Sequence, residues 1–382
     1  MERFDAIVVG AGPAGSTAAF RLVRAGARVL LLDRERFPRD KPCGGGLTYR
    51  AVRELPVSVD PVVEDVVDRF ELGLRYRSRF ERRSEGPLIL MTQRRRLDAH
   101  LAGQAAAAGV DFRDGVRATA LEPDGDGAMV RFEGGAATAA VVLGADGVNG
   151  LTARSLGLAA NRRHGVALEG NVLNVHARAR EYRGRAVVEL GTVPGGYAWV
   201  FPKGDHVNVG VGGWESEGPR LRQHLARACA AYGLPSDRLE SLRGYRLPMR
   251  RPGERTGRGR VLLLGDAAGL VDPLSGDGIY EALVSARLAA GAALNVLVGR
   301  AETLDDAYQR AIDTALARTL SASWKAKLAL ERFPRLVFGI ARLPLVWSFT
   351  AAFLRGDLAH PGEAKGLVRA PLRLVEALGR SA

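Results

Sequence analysis

Three glycines and one acid near the beginning of the chain have the types and spacing that hold a dinucleotide. Gly10, Gly12 and Gly15 form the pattern G-x-G-x-x-G between an apolar run and a helical pattern. The first glycine makes a tight turn, the second lets the backbone approach a pyrophosphate, and the third lets helix and strand pack closely. Asp33 ends the next apolar run, where an acid accepts a hydrogen bond from a ribose hydroxyl. The pattern predicts FAD or NAD rather than NADP as the bound nucleotide.

A cysteine beside three glycines raises a second question of chemistry. Cys43 precedes Gly44, Gly45 and Gly46 in the stretch KPCGGGLT, and glycine runs let the backbone come close to a neighbour. The thiol is either a reacting group or a small packed side chain. Cys229 lies in a helical apolar pattern and is predicted to be packing, so no disulfide between the two cysteines is proposed.

Two Asp-Gly turns follow apolar runs farther along the chain. GADG at 144–147 contains Asp146, and GDAAG at 265–269 contains Asp266. Ligands of open α/β sheets lie at the carboxyl ends of strands, although Asp-Gly is also common in plain turns. The segment from Pro273 then opens a long apolar helix, whose free N–H groups would suit an electron-rich group such as a flavin ring.

An aromatic stripe is the last chemical feature. Tyr197, Trp199 and Phe201 alternate along a predicted strand and therefore share one face. Such a stripe fits a packed core. It also fits a cavity for a long apolar ligand, with the Tyr197 hydroxyl as a polar group.

The elements that must position these residues form an α/β pattern. Residues 4–33 read as β-α-β, residues 163–213 as longer and mainly antiparallel strands, and RVLLLGDAAG from 260 as a return to a buried parallel strand. The nucleotide domain is therefore predicted to be discontinuous, with a sheet domain inserted in it. The predicted divisions are 1–60 with 93–160 and 250–300 for the nucleotide domain, 61–92 with 161–249 for the sheet domain, and 301–382 for a C-terminal helical region.

Composition limits the partners only loosely. The 382 residues carry a formal net charge of +13, but the arginines are spread along the chain and no nucleic-acid module or metal site is predicted. Two cysteines and no secretory signal favour a cytoplasmic protein. Residues 336–354 are apolar, yet Arg342 and Pro344 interrupt them. They are predicted to be packed helices or a cap at the inner membrane surface, where nearby basic side chains could meet anionic headgroups, namely Lys325, Lys327, Arg332, Arg335 and Arg355.

Several of these segments resemble known flavoproteins. Four pieces in order are similar to the hydroxybenzoate hydroxylase-type fold: GAGPAG with Asp33, Arg94 ahead of Leu97 and Asp98, GADG, and RVLLLGDAAGLVDPLSGDGI. KPCGGGLT and the Y-x-W-x-F-P motif at 197–202 narrow the resemblance to the geranylgeranyl reductase family. It covers about residues 3–300 and implies a Rossmann-like FAD-binding domain, an inserted, mainly antiparallel substrate sheet and a helical C-terminal region.

The resemblance also implies roles for individual residues. Cys43 and Tyr197 would be catalytic; Cys43 would donate or polarise a proton, modulate the flavin or simply be small. Gly150 departs from the family, which often has Ser there. The substrate contacts would be Tyr197, Trp199, Phe201 and Pro202. The FAD contacts would be Gly10, Gly12, Pro13, Ala14, Gly15, Asp33, Arg34, Cys43, Gly44, Gly45, Arg94, Asp146, Gly265, Asp266, Pro273, Gly276, Gly278 and Ile279.

The activity implied is FAD-dependent reduction of carbon–carbon double bonds in prenyl chains of lipids, diphosphates or quinones. Hydride would pass from N5 of the reduced flavin to the alkene. The chain has no second G-x-G-x-x-G after a strand, so NAD(P)H or another electron donor would bind transiently. Three alternatives stay open: an aromatic or polyketide monooxygenase, a flavin halogenase, whose family usually carries W-x-W-x-I-P, and a non-catalytic flavin-binding lipid carrier.

Overall fold

A computed structural model describes residues 1–124, 127–158, 163–175, 179–251, 253–300, 303–358, 360–364 and 366–380. Its strands, in chain order, are β1 Glu2–Val9, β2 Val29–Asp33, β3 Gly46–Thr48, β4 Val63–Val67, β5 Arg69–Leu74, β6 Ser78–Arg83, β7 Ile89–Thr92, β8 Asp111–Asp114, β9 Ala118–Asp124, β10 Gly127–Phe132, β11 Gly135–Gly144, β12 Arg163–Leu173, β13 Arg185–Leu190, β14 Tyr197–Pro202, β15 His206–Trp214, β16 Glu240–Met249, β17 Gly257–Arg258 and β18 Val261–Leu263.

The α-helices lie between and after these strands. In chain order they are α1 Pro13–Arg24, α2 Tyr49–Val52, α3 Arg94–Ala107, α4 Leu151–Ser155, α5 Ala179–Tyr182, α6 Leu221–Ala231, α7 Ile279–Leu297, α8 Leu304–Arg332, α9 Pro334–Ala341, α10 Pro344–Arg355 and α11 Arg369–Arg380.

The largest sheet carries the predicted nucleotide site. Its strand order is β17-β18-β11-β1-β2-β8, with β10 and β9 added through β11. The pairs from β18 through β11, β1 and β2 to β8 are parallel. These strands are apolar along their length because helices cover the sheet, and β2 is buried at every residue. The α/β fold with a mainly parallel sheet, expected from the sequence, is confirmed, including the return of β18 to this sheet from residues 261–263.

A second, seven-stranded sheet has the order β16-β12-β15-β14-β13-β5-β6. Its neighbours are antiparallel except β13 and β5, which are parallel. One face packs on α6 through an apolar cluster that includes Val209, Val211 and Cys229. Cys229 is fully buried there. The opposite face turns toward the nucleotide sheet.

A third sheet of three strands, β3-β7-β4, joins the other two. No pattern in the sequence predicts this sheet, because β3 has only three residues. β3 directly continues the Cys43–Gly45 stretch, and β7 leads directly into α3. The short sheet therefore fixes the glycine stretch against the rest of the protein. The domain boundaries proposed from the sequence stay a prediction.

The C-terminal helices pack on both larger sheets. No helix of the described residues is by itself long and apolar enough to cross a membrane; α9 and α10 reach that length only as a pair bent by 82°. Lys327 was expected among the headgroup contacts, and this is wrong. Its side chain is buried, and its Nζ donates to the Gly195 carbonyl and lies 4.3 Å from the centre of the Trp214 ring.

Candidate active site

The first glycine turn is built by close contacts that exclude side chains. Gly10 has a φ of +101°, and a Cβ there would lie 2.4 Å from the Ala145 carbonyl oxygen. A Cβ on Gly15 would lie 1.8 Å from the Gly10 carbonyl oxygen. These two glycines are therefore required by the packing of α1 on β1 and β11, as the G-x-G-x-x-G pattern predicts.

Gly12 differs because an added Cβ would fit there without a clash. A Cβ on Gly12 would come no closer than 3.7 Å to Arg39 and 4.0 Å to Arg94. Arg94 forms a buried bidentate pair with Asp98 at 2.8 and 2.7 Å, and Arg39 reaches the same carboxylate at 2.8 Å. No side chain caps α1, which begins at Pro13.

Arg39 also lies 3.9 Å from Asp33, so the two cations face two carboxylates, and the positive character of this position comes from the uncapped N-terminus of α1. A helix end without a side-chain cap, beside a glycine that has room for an added atom, suits a pyrophosphate. Ala14 is buried in the first turn of the same helix.

The acid at the end of β2 holds the turn. Asp33 Oδ2 accepts the Ala11 N–H at 2.7 Å, and its Oδ1 accepts the Glu35 N–H at 2.9 Å. Asp33 thus lies at the mouth of the turn, where a ribose would be. The Arg34 side chain is about half exposed, and its Nε lies 3.3 Å from Glu35 Oε1.

Asp146 has a structural partner that the sequence did not indicate. Its carboxylate accepts both the N–H and the hydroxyl of Thr152, at 2.9 and 2.5 Å, and so holds the start of α4. A Cβ on Gly150 would lie 2.1 Å from Asp146 Oδ1. The glycine at 150, which departs from the family pattern, is therefore what this carboxylate position requires.

The second predicted turn brings Asp266 into contact with both larger sheets. Its Oδ2 accepts from Tyr245 Oη at 2.8 Å and from Lys41 Nζ at 3.1 Å. Burial opposes the ionised form of Asp266, but Lys41, Tyr245 and Arg94 together outweigh it and lower the pKa of this carboxyl. Gly265 has a φ of +51°, and a Cβ there would lie 3.2 Å from the Ala282 methyl group on α7.

The loop before α7 meets the aromatic stripe. Asp272 Oδ1 accepts the N–H groups of Leu274 and Ser275 at 3.0 and 2.8 Å and shapes the loop, in which Pro273 is buried. The Tyr197 hydroxyl donates to the Ser275 carbonyl. A Cβ on Gly276 would lie 3.8 Å from Tyr197 Oη. Gly278 and Ile279 follow at the start of α7.

Strand register places the aromatic stripe on the inner face of the second sheet. Trp199 pairs with Gly210, and Gly210 pairs with Glu169 on the next strand. A Cβ on Gly210 would lie 2.1 Å from a ring carbon of Trp199, so the indole lies flat over this glycine. The indole Nε1–H donates to Asn208 Oδ1 at 2.8 Å.

The Cys43 stretch packs directly on this face. A Cβ on Gly44 would lie 2.9 Å from two ring carbons of Phe201 and 3.5 Å from Trp199 Nε1. Gly45 has a φ of +65°, and a Cβ there would lie 2.1 Å from the Thr92 carbonyl oxygen. The glycines thus bring the Cys43 backbone against the aromatic rings.

Two polar residues hold the same stretch and were missed from the sequence. Glu169 Oε1 accepts the Cys43 N–H at 2.7 Å, and Lys203 Nζ donates to the carbonyls of Gly44 and Thr92. Lys203 follows Pro202 at the end of the Y-x-W-x-F-P motif, a visible signal. Glu169 is an acid within an otherwise apolar strand pattern, but nothing local connects it to Cys43.

Burial shifts the pKa values of these groups in opposite directions. It raises the pKa of the Glu169 carboxyl to about 7, against the opposing effect of the Cys43 N–H. It lowers the pKa of the Lys203 ammonium to about 8. Burial also raises the pKa of Tyr197. The site therefore holds a carboxyl that is partly protonated near neutral pH.

Comparisons with known proteins show the family of the chain. Residues 3–321 match the family described as FAD binding domain. The chain is 31% identical over 394 residues to a menaquinone reductase of Mycolicibacterium smegmatis, covering 96% of this chain and 95% of that protein. It is 34% identical over 314 residues to digeranylgeranylglycerophospholipid reductase 1 of Methanopyrus kandleri, covering 77% and 81%.

Solved structures share the fold. A geranylgeranyl bacteriochlorophyll reductase-like protein from Thermoplasma acidophilum superposes with a TM-score of 0.80 at 24% identity, covering 99% of this chain and 96% of that one. A flavin-dependent brominase also reaches a TM-score of 0.80, at 18% identity and full coverage of both chains. Because both identities are below 25%, these likenesses establish the fold alone.

Proposed function

The chain belongs to the FAD-binding domain family and is a flavin-dependent oxidoreductase, and we propose that it reduces carbon–carbon double bonds in the prenyl chain of a lipid, diphosphate or quinone. Its relatives named menaquinone reductase and digeranylgeranylglycerophospholipid reductase support this reaction class. When bound, FAD would supply the two electrons and the hydride that such a reduction needs.

The observation that carries the proposal is the contact between the aromatic stripe and the Cys43 stretch. A long apolar chain needs an apolar wall that holds it without directional bonds, and Trp199 and Phe201 provide one. Gly44 leaves no side chain between this wall and the backbone at Cys43. The chain's own part is to hold the alkene against this wall and to exclude water.

The proposed FAD contacts come from both predicted turns and from the loop before α7. Gly10, Gly12 and Gly15 with Arg94 would take the pyrophosphate, and Asp33 would take the adenosine ribose. Asp266 would bind the ribityl hydroxyls of FAD, and the loop from Pro273 to Ile279 would approach the flavin ring. Cys43 and Tyr197 are proposed to face the substrate, and the electron donor is proposed to be NAD(P)H or another transient partner.

An anaerobic single turnover tests the proposal. The bound flavin is reduced photochemically and mixed with menaquinone or a geranylgeranyl lipid, while flavin absorbance and product mass are followed. The expected result is reoxidation without oxygen and a product heavier by two hydrogens for each bond reduced. A flavin that stays reduced with every prenyl substrate and reoxidises only with oxygen overturns the proposal and favours the monooxygenase or halogenase alternatives.

Contact with an anionic membrane surface is part of the proposal, because the substrate would lie in a bilayer. The bend between α9 and α10 exposes three leucines, Leu336, Leu343 and Leu345, at 44, 46 and 45%. Arg335 and Arg342 are exposed beside them. Apolar side chains flanked by cations suit the boundary between headgroups and acyl chains.

Vesicle co-sedimentation tests this contact. The double variant L343D/L345D should lose binding to vesicles that contain phosphatidylglycerol. Leu367, which is 84% exposed at a different position, provides the matched control, and L367D should bind like the unaltered protein. If both variants bind the vesicles equally well, the bend between α9 and α10 is not the membrane contact.

A further inference from the structure

Glu169 lies on the inner face of the second sheet, in the same row of cross-strand neighbours as Trp199. Gly210 separates the two residues in the register, and the Trp199 indole covers that glycine. Arg243 continues the row on the other side of Glu169. The carboxyl group is therefore beside the apolar wall proposed for the prenyl chain.

The contacts of Glu169 leave one oxygen available. Its Oε1 accepts the Cys43 N–H at 2.7 Å. Of the residues that the structure describes, none is hydrogen-bonded to Oε2. A protonated carboxyl can therefore keep its bond to Cys43 through one oxygen and carry an acidic hydrogen on the other.

The two candidates suggested by the sequence are less well placed to give up a proton. The Tyr197 hydroxyl is already bound to the Ser275 carbonyl, and burial raises its pKa, which makes it a weaker acid. Cys43 Sγ is 3.3 Å from the Gly45 N and accepts its N–H, so the sulfur is turned into its own loop. Glu169 has neither constraint.

We propose that Glu169 is the acid that supplies the proton in alkene reduction. The inference rests on the proposed function and adds a catalytic residue to it. The π bond of the alkene breaks and two C–H bonds form: one carbon receives a hydride, with two electrons, from the reduced flavin, and the other carbon receives the proton of the Glu169 carboxyl. Glu169 is left as a carboxylate and regains a proton from solvent.

The surroundings of Glu169 match this role. Burial raises the pKa of its carboxyl to about 7, Asp40 adds to the rise, and Lys203 and Arg94 oppose it. The charged or titratable groups that face it are Cys43 and Asp40 from the loop, Arg94 from α3, Lys203 after β14 and Arg243 on β16. A general acid works best when its pKa lies near the working pH.

The variant E169Q separates proton supply from a merely structural role. Glutamine keeps an oxygen to accept the Cys43 N–H but cannot donate a carboxyl proton. We expect the anaerobic reoxidation rate to fall by on the order of 10²-fold or more, with FAD affinity nearly unchanged. The rate of the unaltered enzyme should fall above about pH 7, whereas the residual rate of E169Q should not follow this profile.

Glu189 provides a matched control on the same sheet. It is fully buried and, by register, lies on the opposite face, where it binds Tyr76 and Tyr232. E189Q should keep the rate and pH profile of the unaltered enzyme. E169D keeps a carboxyl group but moves it back by one methylene. It should keep the pH profile with an intermediate rate, and it tests the inference if E169Q does not fold.

Infrared difference spectroscopy gives a readout that does not depend on turnover. One component of the carbonyl band of protonated carboxyls should fade between pH 6 and 8, around the pKa of about 7, and this component should be absent in E169Q. An E169Q enzyme that reoxidises at the normal rate with the normal pH profile overturns the inference and leaves the proposed function intact. An unaltered enzyme that never reoxidises with prenyl substrates overturns both.

Discussion

At the scale of single residues, Gly44 tests how closely the Cys43 stretch must pack. An alanine at this position would put its Cβ 2.9 Å from two ring carbons of Phe201. We expect G44A to lower the free energy of unfolding by about 1–3 kcal/mol, as overpacking usually does, and to slow reduction of the alkene. Urea unfolding and single-turnover kinetics measure the two effects.

Two further variants make this prediction specific. In an F201L background the added methyl group should cost less, since the ring it meets is gone, and the double-mutant cycle gives the coupling. Gly86 has no heavy atom within 4 Å of an added Cβ, so G86A should leave stability and activity nearly unchanged. Equal losses for G44A and G86A would contradict the packing described for Gly44.

Glu169 also makes a prediction about stability and pH. Its pKa is about 7 in the folded protein and near 4.5 when unperturbed, so the native state binds more protons than the unfolded state between these values. Its contribution to stability is full below pH 4.5 and is lost as the pH rises through 7, by at most about 3 kcal/mol. E169Q should flatten this slope in urea unfolding measured from pH 4.5 to 8.

The residues found from the sequence and those missed differ in the range of their contacts. Gly10, Gly12, Gly15 and Asp33 could be predicted because their types and spacing form a local pattern within one β-α-β unit, although Gly10 also packs on the distant Ala145. Glu169 could not, because its contact with Cys43 joins residues 126 positions apart and depends on the pairing of β12 with β15. The pairing of two distant strands cannot be predicted from the residues next to Glu169 in the sequence.

At the scale of elements, α8 is attached to the second sheet by a buried lysine. Lys327 donates to Gly195, and burial lowers the pKa of its ammonium to about 8, against an ordinary value of 10.5. The unfolded state therefore binds more protons between pH 8 and 10.5, and stability should rise with pH in this window. K327M should lose about 3 kcal/mol of this rise.

The slope that remains in K327M has an identified source. Lys203, whose pKa is also lowered to about 8, should produce a similar rise in the same window. The double variant K203M/K327M should therefore lose both rises between pH 8 and 10.5. A double variant that keeps the full slope would show that neither lysine is desolvated as described.

The elements themselves were predictable in proportion to their length and regularity. The helix at 97–109 was expected and is found as Arg94–Ala107, and the 219–232 helix as Leu221–Ala231. The three-stranded sheet was missed because β3 and β7 have only three and four residues. Strands this short have no measurable alternation, and only their partners define them.

At the scale of the whole molecule, FAD should stabilise the fold by binding groups from distant parts of the chain. At a free concentration one hundred times Kd, a ligand specific for the native state adds about 2.7 kcal/mol. G12A should reduce this gain. Its methyl group would enter the space between Arg39 and Arg94 without strain, since Gly12 has a φ of −75°. Urea unfolding with and without FAD measures the gain.

The control for G12A lies on a nearby helix. Gly103 in α3 has no heavy atom within 4 Å of an added Cβ, and G103A should keep the full stabilisation by FAD. G12A should match the unaltered protein when FAD is absent. If G12A binds FAD with unchanged affinity, the opening beside Gly12 is not the pyrophosphate site.

The return of β18 to the first sheet has a consequence for biosynthesis. Gly15 leaves the ribosome about 250 residues before Asp266, which at about 5–20 residues per second is an interval of about 10 to 50 s. During this interval the whole seven-stranded sheet is translated, while the parallel sheet still lacks the edge formed by β18. With Asp266 as a proposed FAD contact, we expect a nascent chain to complete its flavin site only late in translation, after the part that would recognise the substrate has been made.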